Sequence, residues 1–186
     1  MNKKIAIILT MLMFSSCVPV IVGTVGSGVY NVTTDERDVG TQSNDLTTIA
    51  AVKSELVKKR ISNLTKVKVY CYDGVVYLIG EASSEAVIEA ETTASMVEGV
   101  KEIKTQWFPI GTTTNSIEDF AIGANVRGRL LFAQKVASNK LSYEVYGGNV
   151  VLLGVLSKQE EIDRAIDAVK EIVNVKDVIS FLVVGN

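Results

Sequence analysis

Few side chains in this 186-residue chain are equipped for covalent chemistry, since it has no histidine and only two cysteines, Cys17 and Cys71. Lack of histidine removes the commonest general base and metal ligand. The carboxylates fall on polar flanks and loops rather than around a glycine-rich cleft, and neither a phosphate-binding loop nor a metal-ligand spacing occurs. Ser83, Ser84 and Ser157 stand just before helical patterns and read as helix caps rather than nucleophiles. The expectation is a protein that is not an enzyme and has no cofactor.

The thiol of Cys17 has a different context. Lys3 and Lys4, the apolar run Ile5 to Phe14 and the small pair Ser15-Ser16 form the three zones of a bacterial export signal. The apolar run is too short to cross a bilayer, which takes about 20 residues. A cysteine directly after two small residues is the pattern of a lipoprotein signal, in which the thiol is acylated and becomes the mature N-terminus. Phe14, three places before it, stands where Leu is usual. Cys17 is therefore the candidate lipid anchor, and an ordinary cleaved signal is the alternative. With Cys17 acylated, Cys71 has no internal disulfide partner and reads as a small hydrophobe on the inner face of a strand.

Non-covalent chemistry centres on one helix, from about Glu118 to Phe132. Phe120, Ala124, Arg127 and Leu131 are spaced by four, three and four and so form a single stripe beside the inward positions Val126 and Leu130. Arg129 and Lys135 add charge nearby. An aromatic ring, a cation and a leucine in line suit the headgroup layer of a membrane, where each basic group near an anionic surface contributes about 1 kcal/mol. Leu46, Ala50, Lys53 and Val57 occupy the same places in an earlier helix, so an ordinary solvated flank also accounts for the stripe. Non-specific attraction to nucleic acid is not expected: 19 basic against 21 acidic residues become 17 against 21 once Lys3 and Lys4 leave with the leader.

These residues are positioned by a duplicated framework. Gly74-Val75-Val76-Tyr77-Leu78-Ile79-Gly80 recurs 74 residues later as Gly148-Asn149-Val150-Val151-Leu152-Leu153-Gly154. In the first copy Ile49, Val52 and Leu56 recur at helical spacing within Leu46 to Arg60, with Asn44 or Asp45 as the expected cap. Val67, Val69 and Cys71 alternate with polar residues as a half-buried strand does, and Asp73-Gly74 turns the chain into the next strand. A second helix follows, with Val87, Ala90, Ala94 and Val97 inward and Gly99 at its stop; Val100, Ile103, Thr105 and Trp107 form a third strand. The second copy repeats the order with an offset of 74 that becomes 75 beyond Ser157, a loop position, and Asn174 replaces Gly99.

The expected fold is α+β: two tandem αββαβ units, each with two helices on one face of a three-stranded mixed sheet. Their bounds are 44–108 and 117–186, joined by the linker 109–116 and preceded by a leader 1–16 and a tether 17–43. Such a unit leaves one sheet face bare. Those faces would show Val75, Tyr77 and Ile79 in one unit, and Val151, Leu153, Val155, Ile179, Phe181 and Val183 in the other. They are too apolar for exposure, so the other unit or a partner should cover them.

The pattern of a Val-x-Leu-x-Gly strand, a helix and a Gly-Val turn resembles the BON domain (bacterial OsmY and nodulation) family. Its residues here are Val76, Leu78, Gly80, Gly99 and Val100, then Val150, Leu152, Gly154 and Val175. Over essentially its whole length the chain is similar to dual-BON-domain outer-membrane lipoproteins, including the stretch Asp35 to Gln42 and the linker Pro109-Ile110-Gly111. The resemblance implies a periplasmic envelope-maintenance protein, lipid-anchored in the outer membrane of a Gram-negative cell. It further implies that the first helix of the second unit binds anionic phospholipid. Val18, rather than Asp, after the anchor favours the outer membrane. The rival reading is a non-catalytic adaptor that engages envelope proteins through its apolar sheet faces or its strand edges.

Replacing Cys17 with Ser should move the protein from the membrane fraction to the soluble periplasm and abolish acyl labelling. Unchanged fractionation and labelling would remove the lipid-anchor reading.

Overall fold

In the computed structural model the described residues are 39–185. Cys17, the leader and most of the tether lie outside them. The first unit runs α1 (Val39–Lys59), β1 (Leu64–Tyr72), β2 (Val75–Ala82), α2 (Ser84–Ser95) and β3 (Glu102–Phe108). The second runs α3 (Ser116–Phe132), a 3-10 turn (Ser138–Lys140), β4 (Leu141–Tyr146), β5 (Asn149–Leu156), α4 (Gln159–Lys170) and β6 (Asp177–Val184). Each sheet has three strands, with β2 or β5 at its centre. The hairpin pairs are antiparallel and the pairs β2–β3 and β5–β6 parallel, so both sheets are mixed, as expected.

Alternation along the strands divides the apolar residues between two faces. On the helix side of the first sheet, Val69, Cys71, Val76 and Leu78 pack against Ile49, Val52 and Leu56 of α1 and Ala90 and Ala94 of α2. The second unit repeats this with Val150 and Leu152 against Ile122, Val126 and Leu130 of α3 and Ala165 and Val169 of α4. The opposite sheet faces cover each other. Tyr77 and Ile79 share one cluster with Tyr146, Val151, Leu153 and Val155, and Tyr77 meets Phe181 edge-on at 5.4 Å. The layers therefore run helices, sheet, sheet, helices.

Both hairpins turn in two residues with positive φ, Asp73 and Gly74 in one and Gly147 and Gly148 in the other. That geometry matches the twist of the flanking strands. It also points two backbone N–H groups inward, and a helix carboxylate receives them. Asp45 accepts from the N–H of Asp73 and of Gly74, each at 2.9 Å. Asp119 accepts from Gly147 and Gly148, also at 2.9 Å. The strand glycine of the recurring motif has a steric cause: a Cβ at Gly154, whose φ is +147°, would lie 2.4 Å from the Lys140 carbonyl oxygen.

Three details differ from the sequence reading. Helix α1 begins at Val39, so residues 39–43 belong to a helix rather than to the tether, and Asp45 is not a cap but a buried turn anchor inside it. Burial of Gln42 and Asp45 against the rest of the unit explains the extra turn. Ser83 does cap α2, accepting from Ala86 N–H at 3.3 Å, but Ser157 does not cap α4. There Lys158 is the N-cap residue, and Glu161 reaches back to accept from Ser157 N–H at 3.2 Å and Ala137 N–H at 2.6 Å.

The linker is fastened to the first unit by Glu81, 3% exposed, which accepts from the N–H groups of Gly111 and Thr113 and from the Thr113 hydroxyl. Burial alone would raise its pKa; the Thr113 and Gly111 hydrogen bonds and the charge of Lys66 outweigh it and hold the carboxyl below its usual range.

Loss of the Asp119 carboxylate should strand two N–H groups, each worth about 1–3 kcal/mol, so Asp119→Ala should lower the unfolding free energy by about 2–5 kcal/mol in a urea titration. Asp45→Ala should do the same; two unperturbed midpoints would refute the turn-anchor role. A carboxylate with a depressed folded pKa stabilises above its ordinary range and loses that contribution as pH falls through the folded value. Glu81→Gln should therefore be less stable than the parent at neutral pH, and the gap should close on acidification below the ordinary glutamate range. A gap independent of pH would show that Glu81 is not acting as an ionised clasp.

Candidate functional site

The candidate surface lies on α3. This helix starts at Ser116 because Asn115 accepts from Glu118 N–H at 3.3 Å, and Glu118 and Asp119 in its first turn complement the helix dipole. Its inner face is Asp119, Ile122, Val126 and Leu130. At 100° per residue the opposite face carries Ile117, Phe120, Ala121, Ala124, Gly128 and Leu131, with Arg127 on one flank and Phe132 on the other.

Phe120, Ala124, Arg127 and Leu131 are all exposed and lie on one side of the helix, as their spacing predicts. Phe120 is 78% exposed and Leu131 62%. The sequence reading missed Ile117 at 80% and Phe132 at 84%, which extend the apolar face at both ends. Their distance of three residues and one residue from members of the stripe was the available signal. Arg129 stands apart: it points to the other flank and pairs with Glu171, the C-cap residue of α4, at 3.5 Å. Lys135 is exposed in the turn after α3, with a positive φ of 58°. Tyr143, on β4 beneath the helix, has its hydroxyl pKa raised by burial, against the opposing influence of Arg127.

The same face of α1 is different. Among its described positions it carries Ser43, Leu46, Thr47, Ala50, Ser54 and Val57, and of its large apolar residues only Leu46, at 44%, and Val57, at 75%, are exposed. Lys53, the counterpart of Arg127, is half-buried, with its pKa lowered first by burial and then by the neighbouring Lys68.

The apolar sheet faces that would have served an adaptor are largely covered, although Val183 on the edge strand β6 stays exposed at 36%. They are occupied by one another. Tyr146 donates from its hydroxyl to the Lys66 carbonyl at 2.7 Å, Tyr70 donates to Glu144 at 2.6 Å, and Phe108 stacks on Tyr146 at 4.9 Å. No group of three or more His, Cys, Asp or Glu side chains suited to a metal ion occurs among the described residues. No helix among them is long and apolar enough to cross a membrane.

The chain is 30% identical over 182 residues to "Outer membrane lipoprotein DolP" of Haemophilus influenzae, covering 95% of this chain and 93% of that protein. It is 29% identical over 153 residues to a "21 kDa hemolysin" of Actinobacillus pleuropneumoniae, covering 80% and 78% respectively. The C-terminal domain of CdsD, a structural protein of the type III secretion system of Chlamydia trachomatis, aligns over 74% of this chain and 97% of its own, at 11% identity and a TM-score of 0.33. That last likeness is too weak to bear on the fold. The BON domain model matches residues 44–106 and again 118–186, the two stretches whose hairpins, parallel third strands and helix layers were described above, and the chain belongs to the BON-domain family.

Proposed function

We propose that this is an outer-membrane lipoprotein of the bacterial envelope that reads anionic phospholipid through the outer face of α3 and supports the barrier. In this reading Cys17 carries the acyl anchor, the tether leads to BON domains at 44–108 and 117–186, and 109–116 joins them. Relatedness over nearly the full length to an outer-membrane lipoprotein supports the envelope setting. The observation that carries the lipid reading is the exposed apolar face of Ile117, Phe120, Leu131 and Phe132 with Arg127 beside it. A contiguous apolar surface of this kind on a soluble body marks an interaction site.

The physical division of labour follows from the side chains. Phe120 and Leu131 enter the boundary between headgroups and acyl chains, gaining the hydrophobic term. Arg127, and more distantly Lys135, stay at phosphate level and supply charge attraction. Arg129 contributes less, since its guanidinium is already engaged by Glu171. Acylation at Cys17 supplies the anchor and the α3 face a second contact with the same membrane. Within that geometry the small residues Ala121, Ala124 and Gly128 let the helix lie flat against the surface.

The test is flotation with phosphatidylglycerol-containing and with purely zwitterionic vesicles, using the Cys17→Ser chain. Phe120→Ala, Leu131→Ala and Arg127→Glu together should weaken binding to the anionic vesicles at least tenfold while the circular dichroism spectrum is unchanged, because Val126 and Leu130 remain packed. The matched changes Leu46→Ala, Val57→Ala and Lys53→Glu on α1 should leave binding within about twofold. Equal loss from both triple variants, or full binding by the α3 variant, would overturn the assignment to α3.

A further inference from the structure

The second surface of interest is on the other side of the molecule, in the first unit. Between α1 and α2 runs a groove of about 470 Å³. Its base is Ala51, Thr93 and Val97, and Met96, 79% exposed, stands at its edge. Three carboxylates rim it: Glu55, Glu89 and Glu98, with Lys59 as the single cation of the lining. Glu55 pairs with Lys58 at 2.6 Å, whereas Glu89 and Glu98 enter no ion pair among the described residues. The groove thus has a mainly apolar base, Thr93 being its polar member, and a rim on which carboxylates outnumber cations.

We infer that this groove is a docking site for a basic amphipathic helix of a partner protein. Two observations point to that occupant. The first is charge: carboxylates around an apolar base repel lipid phosphate and favour a segment that sets Lys or Arg on either side of an apolar anchor. The α1 wall from Ala51 to Lys59 rises about 12 Å, at roughly 1.5 Å per residue, which matches two turns of a bound helix with anchors at i, i+4 and i+7.

The second observation is the other repeat. Positions 74 or 75 residues on place Arg129 at the site of Glu55, Glu171 at the site of Met96, Arg164 at the site of Glu89 and Val173 at the site of Glu98. There Arg129 and Glu171 bridge α3 and α4 at 3.5 Å, across the line that the groove follows in the first unit. The same fold therefore forms with the groove bridged and its acids reversed or absent. Packing does not require three carboxylates here, and their presence in the first unit alone is a feature of its surface chemistry.

The experiment uses the full chain with Cys17→Ser. Its probe is a fluorescein-labelled 14-residue helical peptide with Leu at i, i+4 and i+7 and Lys at the flanking positions, followed by anisotropy. Saturable one-to-one binding is expected, with none by the same peptide carrying Glu in place of Lys. Glu89→Lys with Glu98→Lys should weaken binding at least tenfold. Thr92→Trp, an exposed position in the lining that fills the groove without changing charge, should do likewise. Glu160→Lys with Asp163→Lys on α4 makes an equal charge change elsewhere and should leave affinity within about twofold. Equal loss from that remote pair would reduce the effect to net charge and overturn the site, as would full binding by Thr92→Trp. Sedimentation closes the remaining route: if the parent self-associates and Glu89→Lys with Glu98→Lys makes it monomeric, the groove holds a second copy and the partner proposal is wrong.

Discussion

Everything in this structure depends on two sheet faces that neither unit can leave in water. A three-stranded sheet with two helices on one side buries only half of its side chains, and here the centre of the other half is apolar too, with Lys68, Lys104, Gln106 and Glu144 on its edge strands. Tyr77, Ile79, Val151 and Leu153 are between 0% and 2% exposed because each sheet is the other's cover. Full burial of such a side chain contributes roughly 1.5–3 kcal/mol, and a small domain has only about 5–15 kcal/mol of net stability. The interface is therefore comparable in weight to the stability of a unit, and the two repeats form one layered body.

Polar groups give that apolar contact its orientation. In β1 the pairing shifts between Thr65 and Lys68, a bulge at which Lys66 takes a positive φ of 50°. The Lys66 carbonyl is thereby free of the ladder and accepts the Tyr146 hydroxyl of the second unit, while its ammonium donates to the Thr113 carbonyl of the linker at 3.1 Å. Burial raises the Tyr146 pKa and keeps the hydroxyl a donor. Burial also pushes Glu144 up, against Tyr70 and Lys68, whose contacts favour its ionised form. Glu144 and Glu81 thus shift in opposite directions. The first loses its water to the interface with only partial compensation, and the second is surrounded by linker donors that more than compensate.

The architecture was legible wherever a period is local. Alternation in Val67, Val69 and Cys71, the helical stripe Ile49, Val52 and Leu56, and an offset that changes only at a loop carry enough information to place every element in order. Tertiary uses of polar residues were not legible in the same way. Asp45 looks like a cap because it stands near the start of a helical pattern, and only the folded hairpin reveals the N–H groups of Asp73 and Gly74 above it. Glu81 sits inside an apolar strand, where sequence offers no hint that a linker more than 25 residues on will supply its donors. At the candidate site the stripe Phe120, Ala124, Arg127 and Leu131 was readable from spacing. Arg129 was not, because its partner Glu171 belongs to another helix.

The sandwich also explains why the outer helix faces of the two repeats are free to differ. With each sheet face committed to the other and each inner helix face committed to a core, the outer helix faces are the surfaces on which a change in residue type carries little packing penalty. The two units use that freedom in opposite senses. On α3 the outer face has become more apolar, with Ile117, Phe120 and Phe132 where α1 has Ser43, Leu46 and Lys58. On α1 and α2 the flank has become acidic, with Glu55 and Glu89 where α3 and α4 have Arg129 and Arg164. Because the helix layers lie on opposite outsides of the paired sheets, a membrane meeting α3 leaves the groove of the first unit turned away from the bilayer. In the reading proposed above, a duplicated domain that pairs its two sheet faces and differentiates its outer helix layers keeps its lipid-facing and protein-facing surfaces on opposite sides, so that neither contact obstructs the other.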